Sequence, residues 1–238
     1  MSIYREQLLL RSKDVSMQRR LRTSRLFEIL QEASIRHTEQ LGMGREKTLD
    51  RGLLWMVTMQ RADILRMPEY DEATTVESWP GITMHLLFPR YYRLLDAEGN
   101  TLISASALWT LVGSESRRVV FPEDYGIVID GTLSGNEIPL PTPLKKAAGS
   151  ASSAFTVPYS YLDLNGHMNN TRYFDLVEDS IPAPAEGLPL RQISAEYSGE
   201  ARLGDHIDLT VENHGQSYLI SGDTDRRIFR MHLVYGSM

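Results

Sequence analysis

The chain has 238 residues, 42% of them hydrophobic and 24% charged, which suits a folded protein with a substantial core, built as one large domain or two small ones. A net charge of −6 argues against a dedicated nucleic-acid binder, and the lack of any cysteine excludes disulfides, thiolate metal sites and a cysteine nucleophile. No apolar run approaches the roughly 18 residues of a membrane span, and Met1-Ser2-Ile3-Tyr4-Arg5-Glu6 lacks the basic and apolar stretches of a secretory signal, so the cytoplasm is the expected compartment.

In chain order, residues 4–11 read as a short strand. Thr23 or Ser24 is placed to cap a helix that runs to about Gln40 and stops at Leu41-Gly42. Leu26, Ile29, Leu30 and Ala33 recur at helical spacing and form its apolar stripe. From Leu53 the pattern becomes strand-like. The segments 53–65, 73–79, 86–95 and 101–112 are rich in β-favouring residues and are broken by Pro80-Gly81 and by the turn cluster Asp96-Ala97-Glu98-Gly99-Asn100. Short turns favour antiparallel hairpins over parallel crossovers.

Periodicity then fades. Pro139-Leu140-Pro141-Thr142-Pro143, followed by a stretch rich in Ala and Ser, reads as an extended connector. The expected organisation is an N-terminal unit over 1–130, a linker over 131–150 and a C-terminal unit over 151–238. The second unit repeats the first in pattern only: extended at 154–157, helical over 168–179, stopped by Pro182-Ala183-Pro184, then strands near 190–197, 206–212, 217–222 and 228–235. Two sheets, each wrapped round a helix, could pair within one chain.

The densest chemistry lies in Asp163-Leu164-Asn165-Gly166-His167-Met168-Asn169-Asn170, expected at the start of the second helix. Asp163, Asn165 and His167 alternate, so in an extended or turning backbone their side chains can share one side. Hydrolysis of an ester or thioester requires a base for water and donors for the oxyanion. Carboxylate and neutral imidazole serve the first need; the Asn165 amide and N–H groups at a helix start serve the second. Glu200, near the end of the following strand, can fold back beside this cluster. Singly, each residue has a plainer explanation: Asp163 and Asn165 as turn and cap residues, His167 as a structural histidine, Glu200 as a surface charge. The sequence contains no G-x-S-x-G, H-E-x-x-H, G-x-x-x-x-G-K or G-x-G-x-x-G, which removes nucleophile-elbow, zincin, P-loop and dinucleotide readings. Asp163 and His167 without a third ligand make a poor metal site, and no cofactor is expected.

Asp163-Leu164-Asn165-Gly166-His167-Met168-Asn169-Asn170-Thr171-Arg172-Tyr173 resembles the D-x-N-x-H-[VM]-N-N-x-x-Y signature of the acyl-ACP thioesterases. Glu196-Tyr197 and Glu200 resemble that family's E-Y-x-x-E-C segment. Trp79-Pro80-Gly81, Asp96-Ala97-Glu98-Gly99 and Ala107-Leu108-Trp109 resemble its first repeat, so the likeness covers nearly the whole chain. The resemblance implies an α+β tandem (double) hotdog fold, each unit a long helix wrapped by an antiparallel sheet. It implies hydrolysis of fatty acyl-[acyl-carrier-protein] to free fatty acid and carrier protein, the step that ends fatty-acid synthesis. Residue by residue, Asp163, Asn165, His167 and Glu200 match the catalytic set. Glu200 or His167 would activate water, Asn165 and helix-start N–H groups would hold the oxyanion, and Asp163 would orient its neighbours. Where the family has Cys beside the Glu, this chain has Ala201, so no thiol nucleophile operates.

By the same resemblance the acyl chain would lie in the N-terminal unit, against Met56, Met59 and Trp109. The acidic acyl carrier protein would find basic partners among Arg19, Arg20, Arg22 and Arg25, the pairs Arg117-Arg118 and Lys145-Lys146, and Arg226, Arg227 and Arg230. Other readings are a non-catalytic acyl-binding protein, a hotdog dehydratase, which the His-Asn-Asn signature fits poorly, and a thioesterase acting on acyl-CoA. Homodimerisation is left open, because pairing of units within one chain already covers one sheet edge of each.

Overall fold

The computed structural model describes residues 3–129, 131, 138–149, 152–184 and 186–236. The first unit consists of β1 (Tyr4–Leu9), α1 (Thr23–Gln40), β2 (Leu53–Ile64), β3 (Ala73–Pro80), β4 (Phe88–Leu95) and β5 (Thr101–Gly113). The second consists of β6 (Ser153–Thr156), α2 (Arg172–Asp179), β7 (Leu190–Tyr197), β8 (His206–Asn213), β9 (Ser217–Asp223) and β10 (Arg227–Tyr235). The strands form one sheet in the order β1-β3-β4-β5-β2-β7-β10-β9-β8-β6, and every pairing is antiparallel. Read outward from its middle, each half repeats the same order, so the two units are related by an approximate twofold. The architecture is the tandem hotdog.

The seam is the β2–β7 pairing, from Met59 opposite Glu196 to Asp63 opposite Gln192. Side chains reinforce it: Gln192 Nε2 donates to Asp63 Oδ1 at 2.8 Å, and the Tyr197 hydroxyl donates to Gln60 Oε1 at 3.2 Å. Both helices press on one apolar core with the inward faces of the strands. The stripe Leu26, Ile29, Leu30 and Ala33 is buried as the spacing requires. Phe27 of α1 stacks on Phe174 of α2 at 4.1 Å between ring centroids, a contact worth about 0.5–1.5 kcal/mol beyond its burial. Beside it Thr23 Oγ1 donates to Glu178 Oε1 at 2.6 Å. Thr23 therefore serves the helix–helix contact and does not cap α1; the residue before the helix is Arg22, which makes no side-chain cap bond. Gly42, at φ +70°, supplies the left-handed residue that ends α1 cheaply.

The connector crosses the face of the sheet opposite the helices. Ala105 and Ala107 point into the core, while Ser106 between them points away and donates to the Pro139 carbonyl at 2.6 Å. Further along, the Leu144 N–H donates to Glu196 on β7, that of Ala147 to Ser221 on β9, and that of Ala148 to Glu212 on β8. The connector is thus a strap laid across successive strands toward β6 at the far edge, its backbone donors satisfied by outward-facing side chains. The expected boundary positions 130, 150 and 151, and linker residues 132–137, lie outside the described residues.

A second expectation, the start of the second helix, also fails. Helix α2 begins at Arg172 and not at Met168, because Asn169 takes over the chain there: its Oδ1 accepts from the N–H and hydroxyl of Thr171, both at 2.9 Å. That local turn competes with helix in the way Asn side chains do.

Candidate active site

The stretch from Leu162 to Met168 is a closed turn. Leu162 and Met168 form a bridge at its base, the Asp163 N–H donates to the His167 carbonyl at 2.8 Å, and Gly166 sits at φ +76°. The Asp163 carboxylate points inward: Oδ1 accepts from the N–H of Asn165 at 2.8 Å and of His167 at 3.4 Å. Asp163 therefore shapes the turn, one of the two roles its residue type suggested. Helix α2 starts only at Arg172, beyond this cluster, so the N–H groups expected at a helix start beside His167 are turn N–H groups. Those of Met168 and Asn169 are bonded to the carbonyls of Ala201 and Tyr161, both at 2.8 Å.

His167 leaves the turn into a buried position, 6% exposed. Its Nε2 lies 3.4 Å from Oε2 of Glu200, which comes from the loop after β7, held there by the bridge between His167 and Arg202. Burial is the main force pushing the imidazole below its ordinary protonation range; Arg117 and Arg202 add to it, and the carboxylates of Glu200 and Asp163 oppose it. Asn165 stays exposed at the tip of the turn and lines the mouth of a cavity of about 190 Å³.

That cavity belongs to the first unit. Its walls include Leu53, Trp55, Phe88, Pro89 and Trp109, and the exposed Leu164 and Asn165 of the second unit add to its lining. Of the residues expected to line an acyl pocket, Trp109 lines this cavity. Met56 and Met59 are not among the lining residues, because the cavity sits at the start of β2, while Met59 has reached the seam opposite Glu196. The structure thus gathers Asp163, Asn165 and His167 in one turn with Glu200 beside His167, and of these four Asn165 lines the apolar cavity. Among the described residues, no three His, Cys, Asp or Glu side chains converge as a metal site would need.

Two features escape a reading of the sequence. The first is Arg117, visible there only as half of a basic pair. It reaches from the first unit into the second, with NH2 at 3.3 Å from His167 Nδ1 and NH1 donating to Glu200 Oε1 at 3.3 Å. No local pattern marks it, because the contact crosses the seam. The second is a copy of the turn in the first unit. Val15 and Leu21 bridge, the Ser16 N–H donates to the Arg20 carbonyl at 2.8 Å, and Arg19 takes a positive φ of 58°. Ser16, Gln18 and Arg20 occupy the places of Asp163, Asn165 and His167. The backbone is repeated and the chemistry is not. A polar residue at every second position between a short strand and a helix is the signal that could have revealed it.

Known proteins agree with this architecture. A family model described as the acyl-ACP thioesterase N-terminal domain matches residues 1–125, and one described as the C-terminal domain matches residues 144–233. The palmitoyl-acyl carrier protein thioesterase of Arabidopsis thaliana is 24% identical over 214 residues, covering 83% of this chain and 52% of the relative. The dodecanoyl-[acyl-carrier-protein] hydrolase of Cinnamomum camphora is 24% identical over 232 residues, 90% of this chain and 61% of the relative. The chain spans about half the length of the curated relatives it matches. Among solved structures, an acyl-ACP thioesterase from Bacteroides thetaiotaomicron superposes with a TM-score of 0.87 at 19% identity, covering 98% of each chain. The 12:0-ACP thioesterase from Umbellularia californica superposes with a TM-score of 0.81 at 19% identity, covering 98% of this chain and 94% of that one. These superpositions share the tandem hotdog fold.

Proposed function

The chain belongs to the acyl-ACP thioesterase family, and from that membership we propose that it hydrolyses fatty acyl thioesters of acyl carrier protein to free fatty acid and carrier thiol. The observation that carries this reading is the placement of Asn165 at the mouth of an apolar cavity, in the same short turn as a His167 paired with Glu200. An acyl chain seated in that cavity presents its thioester carbonyl at the turn. The Glu200–His167 pair takes a proton from water as the water oxygen bonds to the carbonyl carbon. The Asn165 amide donates to the oxyanion. Collapse of the tetrahedral adduct breaks the carbon–sulfur bond, and the proton returns to the departing thiolate. The sum is thioester plus water giving carboxylic acid plus thiol.

Labour divides between the units: 1–130 holds the acyl tail, 131–150 connects, and 151–238 carries the reacting groups. The carrier docks at the rim, where Arg118, Arg202 and Arg226 are exposed around Glu200 beside Leu164 and Leu203, 85% and 57% exposed. Basic and apolar groups together suit an acidic carrier protein. No described helix is long and apolar enough to cross a membrane, and composition favours the cytoplasm as the place of reaction.

Thiol release from a graded series of acyl-ACPs, with acyl-CoAs in parallel, tests the proposal. The expected result is release from acyl-ACP by the wild type and little by His167→Ala. Retention of acyl chains without thiol release would support a non-catalytic acyl-binding protein, and preference for acyl-CoA would replace the carrier.

A further inference from the structure

Arg117 stands where a bystander would not be tolerated. It ends a tight turn after β5 in which Arg117 N–H donates to the Gly113 carbonyl at 2.9 Å and Gly113 N–H donates to the Arg118 carbonyl at 3.0 Å. Its φ is +54°, a left-handed conformation that non-glycine residues adopt uncommonly. The backbone so held sends the guanidinium across the seam to close a triangle: Arg117 to Glu200 at 3.3 Å, Arg117 to His167 at 3.3 Å and His167 to Glu200 at 3.4 Å.

A guanidinium only donates hydrogen bonds. The imidazole nitrogen facing Arg117, Nδ1, must therefore present its lone pair. In the neutral ring the proton then sits on Nε2, which donates to Oε2 of Glu200. This removes His167 as the base: one nitrogen is spent on Arg117 and the other already carries its proton. Protonating Nδ1 would set two cations against each other at 3.3 Å. Glu200 keeps spare acceptor lone pairs on both oxygens and is the group left to receive a proton from water.

We propose that Arg117 is a positioning residue for the hydrolysis, donated by the first unit to the site of the second. It holds His167 as the neutral Nε2–H tautomer and turns Glu200 toward water as the base. This rests on the thioester-hydrolase reading given above. The other charged groups facing the imidazole are Arg202, from the loop after β7, and Asp163 of its own turn. Arg226 engages the Glu200 backbone carbonyl at 3.3 Å and leaves the carboxylate to Arg117 and His167.

The test uses the full chain and its Arg117→Gln and Arg117→Lys variants, each first checked for an unchanged melting temperature. Nitrogen NMR of the His167 ring in the free protein reports the tautomer and titration midpoint without any substrate. The wild type is expected as Nε2–H with a low midpoint. Arg117→Gln should mix the tautomers and raise the midpoint by about one pH unit. With acyl-ACP, Arg117→Gln should lose about 100-fold in kcat at unchanged KM, with the acid limb of the pH–rate profile moved up, and Arg117→Lys should recover part of the loss. A ring whose tautomer and midpoint do not change in Arg117→Gln overturns the proposal. So does a raised KM at unchanged kcat, which would make Arg117 a docking residue. A wild type that releases no thiol fails the thioesterase reading itself, whatever the imidazole reports.

Discussion

His167 Nε2 lies 3.4 Å from Oε2 of Glu200, and the two side chains arrive from different elements, one from the turn before α2 and the other from the loop after β7. The pair is assembled only when β7 has folded back along α2 and the His167–Arg202 bridge has closed. His167→Ala and Glu200→Gln should each lower kcat by about 10²- to 10⁴-fold, the usual contribution of positioned acid–base groups. Because the two act as a unit, the double variant should be little worse than either single one. Steady-state kinetics with one acyl-ACP decides it; full activity in Glu200→Gln would remove Glu200 from the mechanism.

Asp163 acts on the turn through its acceptor oxygen. Asn keeps an oxygen at that place and Ala does not. Asp163→Asn should therefore melt close to wild type, while Asp163→Ala, which releases two backbone N–H groups, should lose roughly 1 kcal/mol and more of its activity. Thermal unfolding and kcat measured together check this. Equal losses of activity at unchanged stability would show that the carboxylate charge matters and the turn does not.

Trp109 walls the apolar cavity and donates its indole N–H to the Tyr92 hydroxyl at 3.4 Å. Trp109→Ala opens that wall, so the ratio of kcat/KM for longer over shorter acyl-ACPs should rise. A profile unchanged in shape would place the acyl chain elsewhere.

Glu178 on α2 is half-buried beside α1, and its partial removal from water, the largest influence, raises its carboxyl from the ordinary 4.5 to about 7 despite the hydrogen bond from Thr23. The folded state thus holds this proton more tightly than the unfolded state does. Stability from this group is complete below about pH 4.5, declines as pH rises toward 7 and stays reduced above it. At 1.36 kcal/mol per pH unit the full loss is at most roughly 3 kcal/mol, less whatever water reaching this half-buried carboxylate screens. Glu178→Gln keeps the acceptor for Thr23 and carries no charge. It should match the wild type in melting temperature at pH 5 and exceed it at pH 8. A difference that does not grow with pH would mean that water or a rearranged partner relieves the ionised carboxylate.

Much of the fold was legible because its signals are local. Strand and helix periods, the Gly42 stop and the Pro182 and Pro184 breakers act over a few residues, and the observed elements agree with them to within one or two positions at most ends. The start of α2 is the exception. There the side chain of Asn169 outbids the helix for the nearby N–H and hydroxyl of Thr171, a competition that spacing does not reveal. Met56 and Met59 do not line the cavity that Trp109 lines: a residue type states that it belongs inside, and not which part of the inside.

Residue order alone therefore set the two-unit pattern, the cluster from Asp163 to His167 and the nearness of Glu200 to it, since each follows from short-range geometry and from strands that return antiparallel. Tertiary structure decided the rest. It joined the units through β2 and β7, hollowed the cavity in one unit and set Asn165 of the other at its mouth. It also brought Arg117 across the seam to His167 and Glu200. Contacts of that kind depend on how two separately patterned halves meet, and no local run of residues encodes that meeting.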